Sequence, residues 1–209
     1  MKKLILPIAF SLMIASTSYA ENIKEEAIDS LTTAQTFVEK GNFSKAVEEI
    51  NYALAKINEL TASGLIKFIP EPPPGYTLDN KQSQGTGAGA AIAGNAGANA
   101  AYSNPDGASI NLNIAIGGMS GKMASFAAFG QMFAGLASTA GQGAAQSKQI
   151  RVQGYTGTEM YSSQERSGTI TFQIGAKTSV TIEGSNIESP DVLKKLAKNI
   201  DFAGLEKNY

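Results

Sequence analysis

The chain has 209 residues, 17 Lys+Arg against 18 Asp+Glu for a formal charge of -1, and no Cys, His or Trp. Those absences exclude disulfides, thiolate nucleophiles, iron–sulfur clusters, imidazole bases and every metal site built on Cys or His. A near-neutral charge supplies no basic field for nucleic acid.

Residues 1–20 read as a secretory signal peptide. Lys2 and Lys3 form a positive start, and the apolar run from Leu4 to Ala15 is too short to span a bilayer. Ser18-x-Ala20 then places small residues where a signal peptidase needs them. Cleavage after Ala20 is expected. It would remove Lys2 and Lys3, move the formal charge to -3 and deliver the protein to the periplasm of a Gram-negative cell.

Residues 21–62 read as a helical hairpin. Ile28, Leu31, Ala34 and Val38 recur at three- and four-residue steps, and Gly41-Asn42 breaks the pattern with the two residue types that best tolerate a left-handed C-cap. In the second helix Phe43, Ala46, Val47, Ile50, Ala53, Leu54 and Ile57 make one apolar stripe, with Ser44 as the expected N-cap. The run Gly41-Asn42-Phe43-x-x-Ala46-Val47-x-x-Ile50-x-x-Ala53-Leu54 resembles the middle of a tetratricopeptide repeat. One such unit cannot bury both its faces, so something else must cover its apolar stripe. Residues 63–76, with Pro70, Pro72, Pro73 and Pro74, read as a stiff spacer, because consecutive prolines impose polyproline II and end a helix.

Charge is scarce in the middle of the chain, where residues 82–147 carry only Asp106 and Lys122. Within it, the Gly/Ala-rich stretch from Gly85 to Tyr102 reads as a glycine-rich strand or bulged edge. Its small-residue spacing leaves too little hydrophobicity for membrane insertion, and no strong strand precedes its loose match to a dinucleotide fingerprint. Asn104-Pro105-Asp106-Gly107 predicts a type I turn, and Ile110, Leu112, Ile114 and Ile116 alternate on one buried strand face. Between Met123 and Ser147 the larger apolar residues Met123, Phe126, Phe129, Met132, Phe133 and Leu136 follow a helical stripe. This predicts an amphipathic helix lying on the Ile110–Ile116 face.

A β-meander follows, in segments at 150–152, 154–161, 169–174 and 179–183. It is closed by a helix opening at Ser189-Pro190-Asp191 with Val192, Leu193, Leu196, Ala197 and Ile200 inward. The sequence thus predicts an α+β chain in which an N-terminal antiparallel helical hairpin precedes an antiparallel sheet domain, residues 77–209, flanked by helices.

Several landmarks in this layout, Pro72-Pro73-Pro74-Gly75-Tyr76, Tyr102 with Asp106-Gly107, Arg151-Val152-x-Gly154, Val180-x-Ile182-x-Gly184 and Ile200-Asp201-Phe202-x-x-Leu205, are similar to those of a group of exported Gram-negative bacterial proteins. The architecture resembles photosystem-subunit-P-like and Mog1-like domains. That resemblance implies a binding or assembly module without catalysis and carries over no ligand or catalytic residue.

An enzyme of this composition would have to use carboxylates, Ser with Lys, or a carboxylate-bound metal. There is no Gly-x-Ser-x-Gly elbow, Ser-x-x-Lys pair, calcium loop or phosphate loop. Glu25-Glu26, Glu48-Glu49 and Glu165 fall on polar faces, while Arg151, Glu159, Glu165 and Arg166 could meet across meander strands as surface ion pairs. No residue is singled out as catalytic, cofactor-binding or metal-ligating, and no cofactor is implied. The expected function is a non-enzymatic periplasmic binding or assembly module contacting a protein partner, through the hairpin or the glycine-rich edge, with no nucleic acid and no stable membrane insertion. The alternatives are a hydrolase using carboxylates or Ser-Lys, and membrane or fibre association through the Gly/Ala segment. An adaptor should leave an apolar or edge-strand surface uncovered, whereas an enzyme should gather polar groups in a concave pocket.

Overall fold

A computed structural model of the chain describes residues 14–85, 96–117 and 146–209. Two helices come first, α1 (Ile14–Glu39) and α2 (Phe43–Leu65). Gly41 makes the turn between them at φ +72°, where its amide donates to the Val38 carbonyl and that of Asn42 to the Phe37 carbonyl, so the last carbonyls of α1 are satisfied. Asn42 then caps α2 by accepting from the Lys45 amide at 3.3 Å. The expected cap, Ser44, already lies inside the helix.

Strands β1 (Thr77–Gly85), β2 (Ala96–Ser103), β3 (Ser109–Ile116), β4 (Gln146–Val152), β5 (Tyr155–Ser162), β6 (Ser167–Ile174) and β7 (Thr178–Ser185) form one sheet in the order β1-β2-β3-β7-β6-β5-β4, every pair antiparallel. Helices α3 (Asp191–Lys198) and α4 (Phe202–Asn208) close the chain. The fold is therefore α+β, with a helix pair, a seven-stranded antiparallel sheet and two C-terminal helices.

The register divides the sheet into two chemistries. One face stacks Ala98, Ala100 and Tyr102 on Ile114, Leu112 and Ile110, these on Val180, Ile182 and Gly184, and these on Phe172, Ile170 and Gly168. Leu65, Phe68, Leu193, Leu196, Phe202 and Leu205 join that face in a single buried cluster. Burying these large side chains supplies the main driving force, on the order of 2 kcal/mol each. Gly184 marks how tightly the layer fits, since a Cβ there would come within 3 Å of Ile187 and Leu193. Across the opposite face runs the rung Gln82, Asn99, Asn113, Thr181, Thr171, Thr158 and Gln149, one polar residue from each strand.

Small residues on β2 make the apolar layer thin at one side, and α2 rests there against β1 and β2. The stretch expected as a spacer is packed. The helix continues past Ala62 to Leu65, a 3₁₀ turn covers Ile66–Phe68, and Phe68, Ile69, Pro70 and Pro73 are buried. Tyr102 Oη donates to the Pro70 carbonyl at 2.8 Å, pinning the first proline to the second strand. Burial pushes the Tyr102 hydroxyl far above its ordinary pKa, so it stays a donor.

The Asn104–Gly107 turn forms as expected, with Gly107 at φ +79° and the Asn104 carboxamide accepting from the Ala108 amide at 2.8 Å. The four meander segments are β4 to β7; β4, β6 and β7 are longer than the sequence pattern suggested, and β5 has the expected length shifted by one residue. Ser189 accepts from the Asp191 amide at 3.2 Å, but α3 starts one residue after Pro190. The amphipathic helix expected between Met123 and Ser147 falls almost wholly in residues 118–145, outside the described residues, as do residues 86–95 of the Gly/Ala stretch. The sheet face on which that helix was expected is covered by the ends of α2, α3 and α4.

Candidate functional site

The large apolar side chains left exposed are concentrated on the hairpin: Ile28, Leu31 and Val38 on α1, and Phe43, Val47, Ile50 and Ile57 on α2, with Phe43 66% and Val47 55% exposed. The seam between the helices is built mostly from small residues, with Ile23 the large buried side chain on the same face of α1 near its base. Ala27 and Ala34 of α1 and Ala46 and Ala53 of α2 are almost fully buried. The single stripe expected on α2 is thus two stripes. Ala46 and Ala53, seven residues apart, face α1, while Phe43, Val47, Ile50, Leu54 and Ile57 repeat in steps of four, three, four and three, the spacing that helix-on-helix packing requires. Small residues in the seam bring the helices close and leave the large ones no room between them.

Among the described residues these seven side chains lie on one flank, and the two exposed tyrosines, Tyr19 and Tyr52, lie on the other. At about 100° per residue, Ile28, Leu31 and Val38 project to the same side of the α1 seam positions as the five-residue repeat does from those of α2. The opposite flank is fixed independently by its polar contacts. Lys56 Nζ pairs with Glu26 at 2.8 Å, and Tyr52 Oη donates to the same carboxylate at 2.8 Å. These bonds hold the Glu26 carboxyl below its ordinary pKa and, through the bond to Glu26, the Lys56 ammonium above its own. Near the base of the hairpin Tyr19, which cleavage after Ala20 would remove, donates to Glu59 at 2.8 Å, a bond that raises the Tyr19 hydroxyl. A polar lock therefore fastens one flank and leaves the other apolar and uncovered. Further along α2 the same side turns onto the sheet through Asn58, Ala62 and Leu65, so the exposed stripe continues a surface already used for packing.

The charged residues weighed in the sequence find other settings. Glu159 is buried and pairs with Lys194 of α3 at 3.2 Å, while Lys194 also reaches Asp191 at 2.7 Å. The bond to Asp191, helped by Glu159, keeps the Lys194 ammonium above its usual value. Glu165 lies in the β5–β6 turn, taking the Ser167 hydroxyl at 3.3 Å, and its amide donates to Ser162 Oγ. Arg166 points at the Asn186 carbonyl, and Arg151 is exposed on the edge strand. Asp106 stays in its turn, where its carbonyl accepts from Asn186 at 3.2 Å. Glu25 and Glu48 are exposed on the helices, Glu49 partly so. Among the described residues no three acidic side chains gather as metal ligands, and no helix is long and apolar enough to cross a membrane. β1 and β4 are the outer strands of the sheet, and β1 carries a register shift between Leu78 and Asn80.

Sequence reasoning missed the Glu26–Lys56–Tyr52 lock, although a signal for it exists. Glu26 and Lys56 are equidistant from Gly41, as opposed positions of an antiparallel hairpin must nearly be. No such rule pairs Glu159 with Lys194, which are brought together by the packing of α3 on the sheet. Comparison of the chain with protein-family models, curated proteins and solved structures finds no match.

Proposed function

We propose that the protein is a non-enzymatic periplasmic binding or assembly module whose helical hairpin contacts a protein partner. The observation that carries this reading is the flank of Ile28, Leu31, Val38, Phe43, Val47, Ile50 and Ile57, exposed together beside a fully buried small-residue seam. An apolar surface that the fold leaves uncovered on one face of a helix pair is suited to another helix, and helical 4-3 spacing is the pattern such a partner reads. The sheet and the C-terminal helices serve in this reading as the rigid base that holds the hairpin. The compartment follows from the signal-peptide pattern of residues 1–20. The resemblance of residues 69–205 to a group of exported bacterial proteins supports the compartment and does not extend to the hairpin.

The test is a matched capture. Full-length protein and the Val47→Asp/Ile50→Asp variant are crosslinked in periplasmic extract and recovered by the same tag. Loss of the crosslinked species in the variant, with its thermal transition unchanged, supports the reading. Identical capture by both would remove the hairpin from recognition.

A further inference from the structure

We infer that the partner seated on this flank is a second copy of the chain, the two hairpins closing into an antiparallel four-helix bundle about a two-fold axis. The inference rests on the binding reading above and names its occupant. Three observations carry it.

The first is area. Seven large apolar side chains, each about half exposed, leave on the order of 600 Å² on one flank, the upper end of what an ordinary monomer shows as its largest patch. Two such flanks face to face bury about 1,200 Å², which reaches the size class of specific interfaces without help from the rest of the molecule. The second is charge. A two-fold interface sets each residue against its own kind, so any charge near the axis meets a like charge. The repeat Phe43, Val47, Ile50, Leu54 and Ile57 contains no charge, and Ser44 and Asn51, which border it on the side away from α1, are neutral. On α1 the same flank carries Thr32 and Gln35 between its apolar residues, and its charges, Glu39 at the hairpin tip, which takes a 3.0 Å hydrogen bond from Gln35, and Lys24 towards the other end, stand at the two ends of the flank and not at its middle. The third is geometry. α1 and α2 already pack antiparallel with small residues in their seam and large ones outside it, which is half of a bundle whose core positions point outward.

Sedimentation velocity of the purified processed chain over a concentration series tests the proposal. The expected result is a reversible monomer–dimer equilibrium whose dissociation constant rises about a hundredfold or more in Val47→Asp/Ile50→Asp. At concentrations too low for association the variant should keep the wild-type circular dichroism and melting transition, since both positions are exposed. The absence of cysteine gives a clean background for a second measurement. Val47→Cys should form an intermolecular disulfide on mild oxidation, whereas Gln82→Cys on the outer strand β1 should not. Wild-type protein that sediments as a monomer throughout overturns the inference, as does crosslinking at Gln82→Cys in place of Val47→Cys, which would move the contact to the strand edge. A monomer that still captures a different protein through Val47 and Ile50 also overturns the second copy while leaving the binding reading standing. A monomer whose capture ignores both residues removes both.

Discussion

The hairpin and the sheet spend their apolar residues in opposite ways. In the sheet layer Ile110, Leu112, Ile114, Phe172, Ile182 and Phe202 are buried and the polar Ser, Thr, Asn and Gln residues take the other face. In the hairpin the buried side chains are mostly small, Ala27, Ala34, Ala46 and Ala53 beside Ile23, while residues as large as Phe43 stand in solvent. Alanine stabilises a helix by propensity and permits close approach, but each methyl buries little area, so the seam holds two helices in register without using their hydrophobic capacity. The sheet's large residues are explained by its own stability, and those of the hairpin are not.

The contrast breaks most sharply under truncation. Phe172→Ala removes a fully buried ring that stacks near Phe202, with centroids 4.9 Å apart, and should cost about 3 to 5 kcal/mol by denaturant titration. Phe43→Ala, at protein concentrations too low for association, should stay within about 0.5 kcal/mol of the wild type. A comparable loss at Phe43 would mean that the hairpin flank is part of the core. Ala53→Leu sharpens the seam side of the comparison. Ala53 is fully buried between the helices, and the added bulk should cost about 1 to 3 kcal/mol. Faster amide exchange should be confined to α1 and α2, leaving the strands protected. Asn42→Ala removes the cap on the Lys45 amide and should cost about 1 kcal/mol, seen as fraying of the first turn of α2.

The smallest effect is electrostatic. The Glu26 carboxyl is lowered in the folded protein, first by its bond to Lys56 and then by Tyr52. Its contribution is therefore complete above the ordinary carboxylate pKa and is lost as pH falls through the lowered value. The pair is exposed, so the change is slight. Lys56→Met should lower stability slightly at neutral pH and converge on the wild type at the acid end, so that the acid limb of its unfolding curve is flatter. An acid limb identical in both proteins would show that the lock adds no pH dependence.

Much of this arrangement was legible in the sequence, for identifiable reasons. Period-two alternation marked Ile110, Leu112 and Ile114 because one side of their strand is buried, and Gly41-Asn42 marked the hairpin turn because the chain there needs a positive φ. The α3 face from Leu193 to Ala197 followed from helical spacing in the same way. What periodicity left open on α2 was which half of a wide apolar stripe faces inward. Ala46 and Val47 are adjacent and both apolar, and only the presence of α1 at close range assigns the alanine to the seam and the valine to solvent. The packing of Leu65, Phe68 and Ile69 onto the sheet was also hidden, because proline-rich composition reports backbone stiffness and not what the backbone lies against. Glu159, expected in a surface ion pair with the arginines of the meander, is instead buried against Lys194, a partner the strand pattern could not supply because it lies on a helix after the meander.

The claim that the hairpin flank is an interface is tested most directly by a photocrosslinking scan along α2 in cells that export the full chain, placing the reactive side chain in turn at Phe43, Val47, Ile50, Glu48 and Tyr52. The account predicts strong adducts at Phe43, Val47 and Ile50 and weak ones at Glu48 and Tyr52, which face other directions. Equal labelling at all five positions, or none at the first three, would contradict it.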